Sequence, residues 1–253
     1  MRHAWLMVAL VLAGCNLDWN GWRPEAPASP SPAPGSPPHL YGRPLELVRE
    51  TRTIATASGS MAAAAQVIRA SAIPGVAQVD ANDCGPAAIA TLLGFYGLKP
   101  EGDSDPLRAV KTAMPPQQWG TRIEEARDYL NRTGYLHAEA YRDGELSGVM
   151  DIVRDGRPVP VVVTLDGNLT RMHWLLVVGL AVTPTRERYV LCKNPSDSDP
   201  LGFSAYSESS FQACWENSPL RSQWWSSLMA GVTDTNAASY RRPYLDVGAL
   251  ARP

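Results

Sequence analysis

The sequence predicts an α+β domain in which helices come first and a mostly buried antiparallel sheet follows. Three observations carry that expectation. Between residues 60 and 156, apolar residues recur at helical spacing in several segments bounded by capping and stop signals. From residue 158 onward the texture changes to β-branched apolar runs separated by turn residues. Finally, 45% of the 253 residues are hydrophobic, which suits one folded domain with appendages.

Residues 1–15 stand outside that domain. "MRHAWLMVALVLAGC" has a basic start at Arg2 and an apolar run too short to span a bilayer, so it reads as a signal-peptide core. It ends in Leu12-Ala13-Gly14-Cys15. Small residues ahead of a cysteine let a signal peptidase reach the extended backbone, and the box resembles a bacterial lipobox with Cys15 as the lipidated residue. Acyl chains gain about 0.8 kcal/mol per buried CH₂, so several of them anchor a protein firmly. Asn16 follows, not Asp, which by resemblance to lipoprotein sorting signals points to an outer membrane where the source has one. The expected location is extracytoplasmic, lipid-anchored to a bacterial membrane. Residues 16–39 carry Pro24, Pro27, Pro30, Pro32, Pro34, Pro37 and Pro38 among Ala, Ser and Gly. Such a segment buries too little apolar surface to fold and reads as a semi-extended tether.

The domain is expected over residues 40–233. "SMAAAAQVIRASAI" reads as a helix after Ser60. "GPAAIATLLGFYG" places Ile89, Leu92, Leu93 and Tyr96 on one helical face, with Gly97 as the stop. "TRIEEARDYLNRTG" carries a capping box, Thr121 with Glu124, and ends at Gly134. "LSGVMDIVRDG" is a shorter helix. "PVPVVVTL", "MHWLLVVGLAV" and "RYVLCKN" are the sheet strands, "SESSFQACWEN" is helical and "SSLMAGVT" is a last strand. Residues 234–253 show no periodicity and read as a tail.

Composition removes several function classes. A net charge of −2 leaves no electrostatic footprint for nucleic acid. Four cysteines are too few for a disulfide scaffold, and no Cys/His set has metal-ligand spacing, so neither a metal nor another cofactor is expected. The chemistry concentrates instead on "DANDCGPAA". Cys84 sits where an apolar helix begins, and a helix N-terminus beside an imidazolium favours a thiolate. His3 leaves with the signal segment and His39 lies in the tether, so His137 and His173 remain as candidate bases. His173 opens the most apolar strand, where a scaffold presents a side chain to a cleft. Asn194 ends the next strand, and two adjacent antiparallel strands bring it beside His173 to fix the ring tautomer. Asp197 and Asp199 are next in line as orienters. Gln78, six residues before Cys84, offers a side-chain amide to a developing oxyanion. Cys192 and Cys214 form a candidate disulfide in an oxidising compartment.

"QVDANDCGPAA", then "HWLLVVGL", then Asn194-Pro195 after a strand resemble the papain-like, bacteriocin-processing double-glycine leader peptidases. The resemblance spans about residues 76–232 and implies a papain-like fold with helices packed on an antiparallel sheet. Carried over by position, it makes Gln78 the oxyanion glutamine, Cys84 the nucleophile, His173 the base and Asn194 the orienter. Two departures stand out. The orienter is Asn, not the family's usual Asp, and no exporter accompanies the domain. Three functions follow from these residues: a membrane-tethered cysteine peptidase acting on a peptide or protein, a Cys-His hydrolase of cell-wall peptide crosslinks, and a non-catalytic peptide-binding module.

Overall fold

The most apolar run of the sequence, Met172–Val182, forms the strand around which the domain is built. The computed structural model describes residues 47–56, 59–68, 73–100, 102–115, 120–164, 172–197, 202–216 and 242–250. Cys15, the tether, Asp199 and the expected strand "SSLMAGVT" lie outside the described residues. In chain order the elements are β1 (Leu47–Thr56), β2 (Gly59–Ile68), α1 (Cys84–Phe95), α2 (Pro106–Ala113), α3 (Ile123–Arg132), β3 (Leu136–Tyr141), α4 (Leu146–Arg154), β4 (Val159–Thr164), β5 (Met172–Val182), β6 (Arg188–Lys193), β7 (Ser204–Ser207), α5 (Glu208–Glu216) and β8 (Tyr244–Ala249).

Eight strands make one sheet in the order β1-β2-β5-β4-β8-β3, with β6 and β7 branching from β5. Every strand ladder is antiparallel. β5 reaches this many neighbours because it is long. Along one edge its first half pairs with β4 and its second half with β2, while β6 runs along the other edge. Buried on both faces, β4, β5 and β6 read as continuous apolar runs, not alternating ones. Helices α1, α4 and α5 pack on this central part, and α3 packs on β3 and β8.

The helix expected after Ser60 is instead strand β2. Its alanines favour a helix by intrinsic propensity. The burial pattern nevertheless has period two: Ala63, Ala65 and Val67 point inward, and Ala62, Ala64 and Gln66 are exposed. Ten residue pairs with β1 and a ladder to β5 outweigh the small local preference. The β2–β5 approach requires a glycine at 179, where a Cβ would lie 2.5 Å from the Gln66 carbonyl oxygen.

The tail is corrected as well. Residues Tyr244–Ala249 form β8, which sits between β4 and β3 inside the sheet. Its Val247 carbonyl accepts a 2.7 Å bond from the Tyr96 hydroxyl, tying the end of α1 to the chain terminus. The remaining expected helices and strands that fall on described residues form, with one change at α3. There Arg122 is the N-cap, and the Glu125 carboxylate accepts from its backbone N–H. Thr121 is instead buried against α1.

Candidate active site

Asp83 precedes α1 without capping it. Its carboxylate accepts from the Asp80 backbone N–H at 2.9 Å and from Lys111 Nζ of α2 at 2.8 Å, which closes the turn before the helix. The first helical residue is therefore Cys84, with Pro86 tolerated in the first turn, where no intrahelical N–H is needed. Asp105 caps α2 by accepting from Leu107 and Arg108, and so fixes the helix that carries Lys111. Asp83 is 1% exposed, and two carboxylates, Asp83 first, hold the Lys111 ammonium above its ordinary range. The stabilisation carried by the raised lysine is therefore fully present at neutral pH and is lost as pH rises past the lysine range. Lys111→Met strands a buried carboxylate. It is expected to cost about 2–3 kcal/mol in urea unfolding, with most of the loss recovered in the Lys111→Met, Asp83→Asn double variant.

Gly85 follows the thiol because nothing larger fits. A Cβ there would lie 2.5 Å from Thr121 Cβ and Oγ1 and 3.2 Å from Trp174 Nε1. Trp174 Nε1 donates to the Thr121 carbonyl at 3.1 Å, pinning that segment over the start of α1.

His173 and Asn194 meet as the strand argument expects. His173 stands near the start of β5 opposite Val163, and Asn194 follows the last residue of β6. The two side chains are 2.7 Å apart, between His173 Nε2 and Asn194 Oδ1, and both are buried. The protonation pattern follows from the surroundings. The Ser196 backbone N–H donates to the same Asn194 oxygen at 2.9 Å, so that atom must be an acceptor. Asn194 Nδ2 donates to the Tyr206 hydroxyl at 3.1 Å. His173 Nε2 must therefore carry the proton, which leaves Nδ1 as the ring's basic nitrogen.

The Cys84 thiol is 4% exposed. Burial pushes it above the ordinary thiol range, and the Asp83 carboxylate adds to that. The backbone of Trp174, next to His173, and the amides of Gly85 and Cys84 pull it down. The Trp174 contact brings the Cys84 thiol to the start of β5. Burial thus opposes a thiolate at this position in spite of the helix N-terminus.

Gln78 is anchored to the turn after Asn194. Its backbone N–H donates to the Pro195 carbonyl at 2.9 Å, and its Oε1 accepts from Ser196 Oγ at 2.9 Å. The acceptor end of the amide is thus occupied, while the NH₂ end makes only a long 3.4 Å contact to the Asp80 carbonyl. His137 lies on β3, exposed and beside Glu139, apart from this cluster. Cys192 and Cys214 are buried and are not joined to each other in a disulfide. Each fills a core position as a small apolar side chain: Cys192 beside Asp197 and Tyr206, and Cys214 on α5, whose backbone binds Thr164 of β4. Among the described residues, no group of three His, Cys, Asp or Glu side chains is placed to hold a metal ion.

A family model, the peptidase C39-like family, matches residues 70–220, the stretch that holds Gln78, Cys84, His173 and Asn194. The chain belongs to the peptidase C39-like family. Membership supports a cysteine peptidase and accounts for a sheet-backed thiol at a helix start. Similar solved structures include two that are described by name. One is the peptidase domain of Streptococcus ComA, a bifunctional ABC transporter of a quorum-sensing pathway. It is 14% identical, with 70% of this chain and 99% of that chain covered and a TM-score of 0.44. The other, from Bacillus anthracis, is described as a C39-like peptidase. It is 10% identical, with 74% and 98% covered and a TM-score of 0.48. No curated protein matches the sequence. Within this C39-like domain, sequence reasoning missed Tyr206, Ser196, Lys111 and Thr121. Tyr206 and Lys111 reach the site from other elements, Ser196 lies in the turn after Asn194, and Thr121 carries a capping signal that the structure does not use.

Proposed function

We propose that this protein is a membrane-tethered, extracytoplasmic cysteine peptidase that cleaves peptide bonds with Cys84, His173 and Asn194, and with Gln78 as oxyanion donor. The observation that carries the reading is the 2.7 Å contact between His173 Nε2 and Asn194 Oδ1, with the oxygen identified by the Ser196 N–H. It leaves Nδ1 to accept the Cys84 proton. The thiolate then attacks the scissile carbonyl carbon, and the carbonyl oxygen takes the negative charge. The Gln78 amide N–H and α1 backbone amides donate to that oxygen. The imidazolium returns its proton to the leaving amine, which departs and leaves a thioester. Water, deprotonated by the same ring, hydrolyses the thioester and regenerates the thiol.

The tether half of the proposal rests on "LAGC" after an apolar core. Full-length protein should partition with membranes, and Cys15→Ser should release it to the soluble fraction. Equal membrane association of the two forms overturns the anchor. Profiling the protein on a peptide library should give discrete cleavage sites that Cys84→Ala abolishes. Turnover of purified cell-wall crosslinks in place of linear peptides would reassign the substrate. Absence of both activities overturns the enzyme reading.

A further inference from the structure

An amide at position 194 orients the base but brings no charge to stabilise an imidazolium. A carboxylate lies further along the same hydrogen-bonded chain. Asn194 Nδ2 donates to the Tyr206 hydroxyl at 3.1 Å, Tyr206 shares a side-chain hydrogen bond with Ser204, and Ser204 Oγ donates to Asp197 Oδ2 at 2.6 Å. The donor inventory leaves one assignment. A carboxylate only accepts, so the Ser204 proton points to Asp197. The Ser204 oxygen therefore accepts from Tyr206, and the Tyr206 oxygen accepts from Asn194. Burial keeps the Tyr206 hydroxyl protonated by pushing it far above its ordinary value. Every bond from His173 Nε2–H outward thus donates toward Asp197, the alignment in which successive hydrogen bonds polarise one another. Asn194, Ser204 and Tyr206 are all buried, and Asp197 at the end of the chain is half-buried.

We propose that Asp197 is a positioning residue for His173, acting through Ser204, Tyr206 and Asn194, and that its negative charge stabilises the imidazolium that the amide at 194 cannot stabilise itself. The inference rests on the reading of His173 as the base. Other ionisable groups on the surrounding elements are already engaged. Asp83 is held by Lys111 and the Asp80 N–H, and the Lys193 ammonium lies 4.7 Å from the Phe203 ring centre. Arg52 of β1 covers the same ring at 4.6 Å, and Arg188 pairs with Glu208 at 2.8 Å. Cys192, beside Asp197, is pushed well above its ordinary value by burial and remains a neutral thiol.

The test follows the His173 ring by ¹⁵N NMR through a pH titration of the full-length protein, beside Cys84 alkylation by iodoacetamide at neutral pH. Asp197→Asn and Tyr206→Phe should each lower the His173 titration midpoint by roughly half a unit to one unit. The neutral-pH alkylation rate should fall by the corresponding factor of roughly three to ten, because less thiolate–imidazolium pair forms. In an Asn194→Asp background, where a carboxylate sits beside the ring, Asp197→Asn should lose most of its effect. If Asp197→Asn perturbs folding, Tyr206→Phe, which keeps the ring's packing, carries the test. Wild-type midpoints in both variants overturn the proposal. So does a shift that persists undiminished in the Asn194→Asp background, since that reports general disturbance. Failure of the underlying reading looks different: the midpoints shift as expected, but His173→Ala leaves Cys84 alkylation unchanged.

Discussion

Replacing His173 with alanine is expected to leave the Cys84 thiol held above its ordinary range with no imidazolium to stabilise the thiolate. Without an imidazolium, two influences remain that both raise it, burial and the Asp83 carboxylate. The amides of Trp174, Gly85 and Cys84 offset them only in part. Each unit between pH and pKa is a tenfold loss of thiolate, so alkylation at mildly acid pH should fall by at least about 10²-fold. Peptide turnover should fall by about 10⁴-fold or more, as when one member of a catalytic unit is removed. Cys84→Ala should abolish both and leave the melting curve near wild type, because the thiol is a small side chain in a site closed by Thr121 and Trp174. Asn194→Ala should be milder, about 10- to 100-fold, since it only orients the ring. Asn194→Asp should retain activity, because the Tyr206 hydroxyl can turn from acceptor to donor. Unchanged acid-pH alkylation in His173→Ala removes the ring from the chemistry.

Gln78→Ala is expected to cut kcat by about 10²–10³ with little change in KM, the usual cost of one oxyanion donor. Alkylation of Cys84 should stay close to wild type, because displacement by iodoacetamide builds no charge on a carbonyl oxygen. The geometry supplies a competing explanation that the experiment must separate. The Gln78 side chain also accepts from Ser196, so its loss loosens the turn that carries Asn194, although the backbone bond to Pro195 remains. Ser196→Ala removes that side-chain link and keeps the Gln78 amide. If the link is the whole effect, Ser196→Ala matches Gln78→Ala in kcat. If Gln78 meets the transition state, Ser196→Ala retains most of the rate. Turnover per alkylatable thiol, read beside a melting curve, decides between them, and wild-type turnover in Gln78→Ala ends the oxyanion assignment.

Much of the site is local information and could be read from the chain. Cys84 at the start of a helix, His173 at the mouth of an apolar strand and Asn194 at the end of the next strand are each marked by neighbours within a few residues. Antiparallel pairing of β5 with β6 then brings the two strands' residues together. The helical face of α1 and the apolar runs of the central strands were legible for the same reason, since their period is a property of the segment.

Other features existed only once the chain had folded. Alanine is nearly neutral between inside and outside, so the period-two burial of β2 has no contrast in the sequence and its propensity points the other way. β8 is short and its partners β3 and β4 are distant along the chain, so only sheet assembly reveals it. The disulfide expectation is not met because the sequence does not set the direction of a thiol, and both candidates are buried in the core without a disulfide between them. The protonation of the base belongs to this class too. By itself, the sequence named Cys84, His173, Asn194 and Gln78 as the candidate residues. The tertiary structure decided which nitrogen of His173 is basic, because the Ser196 N–H and the Tyr206 hydroxyl reach Asn194 only after the turn and β7 have folded against it.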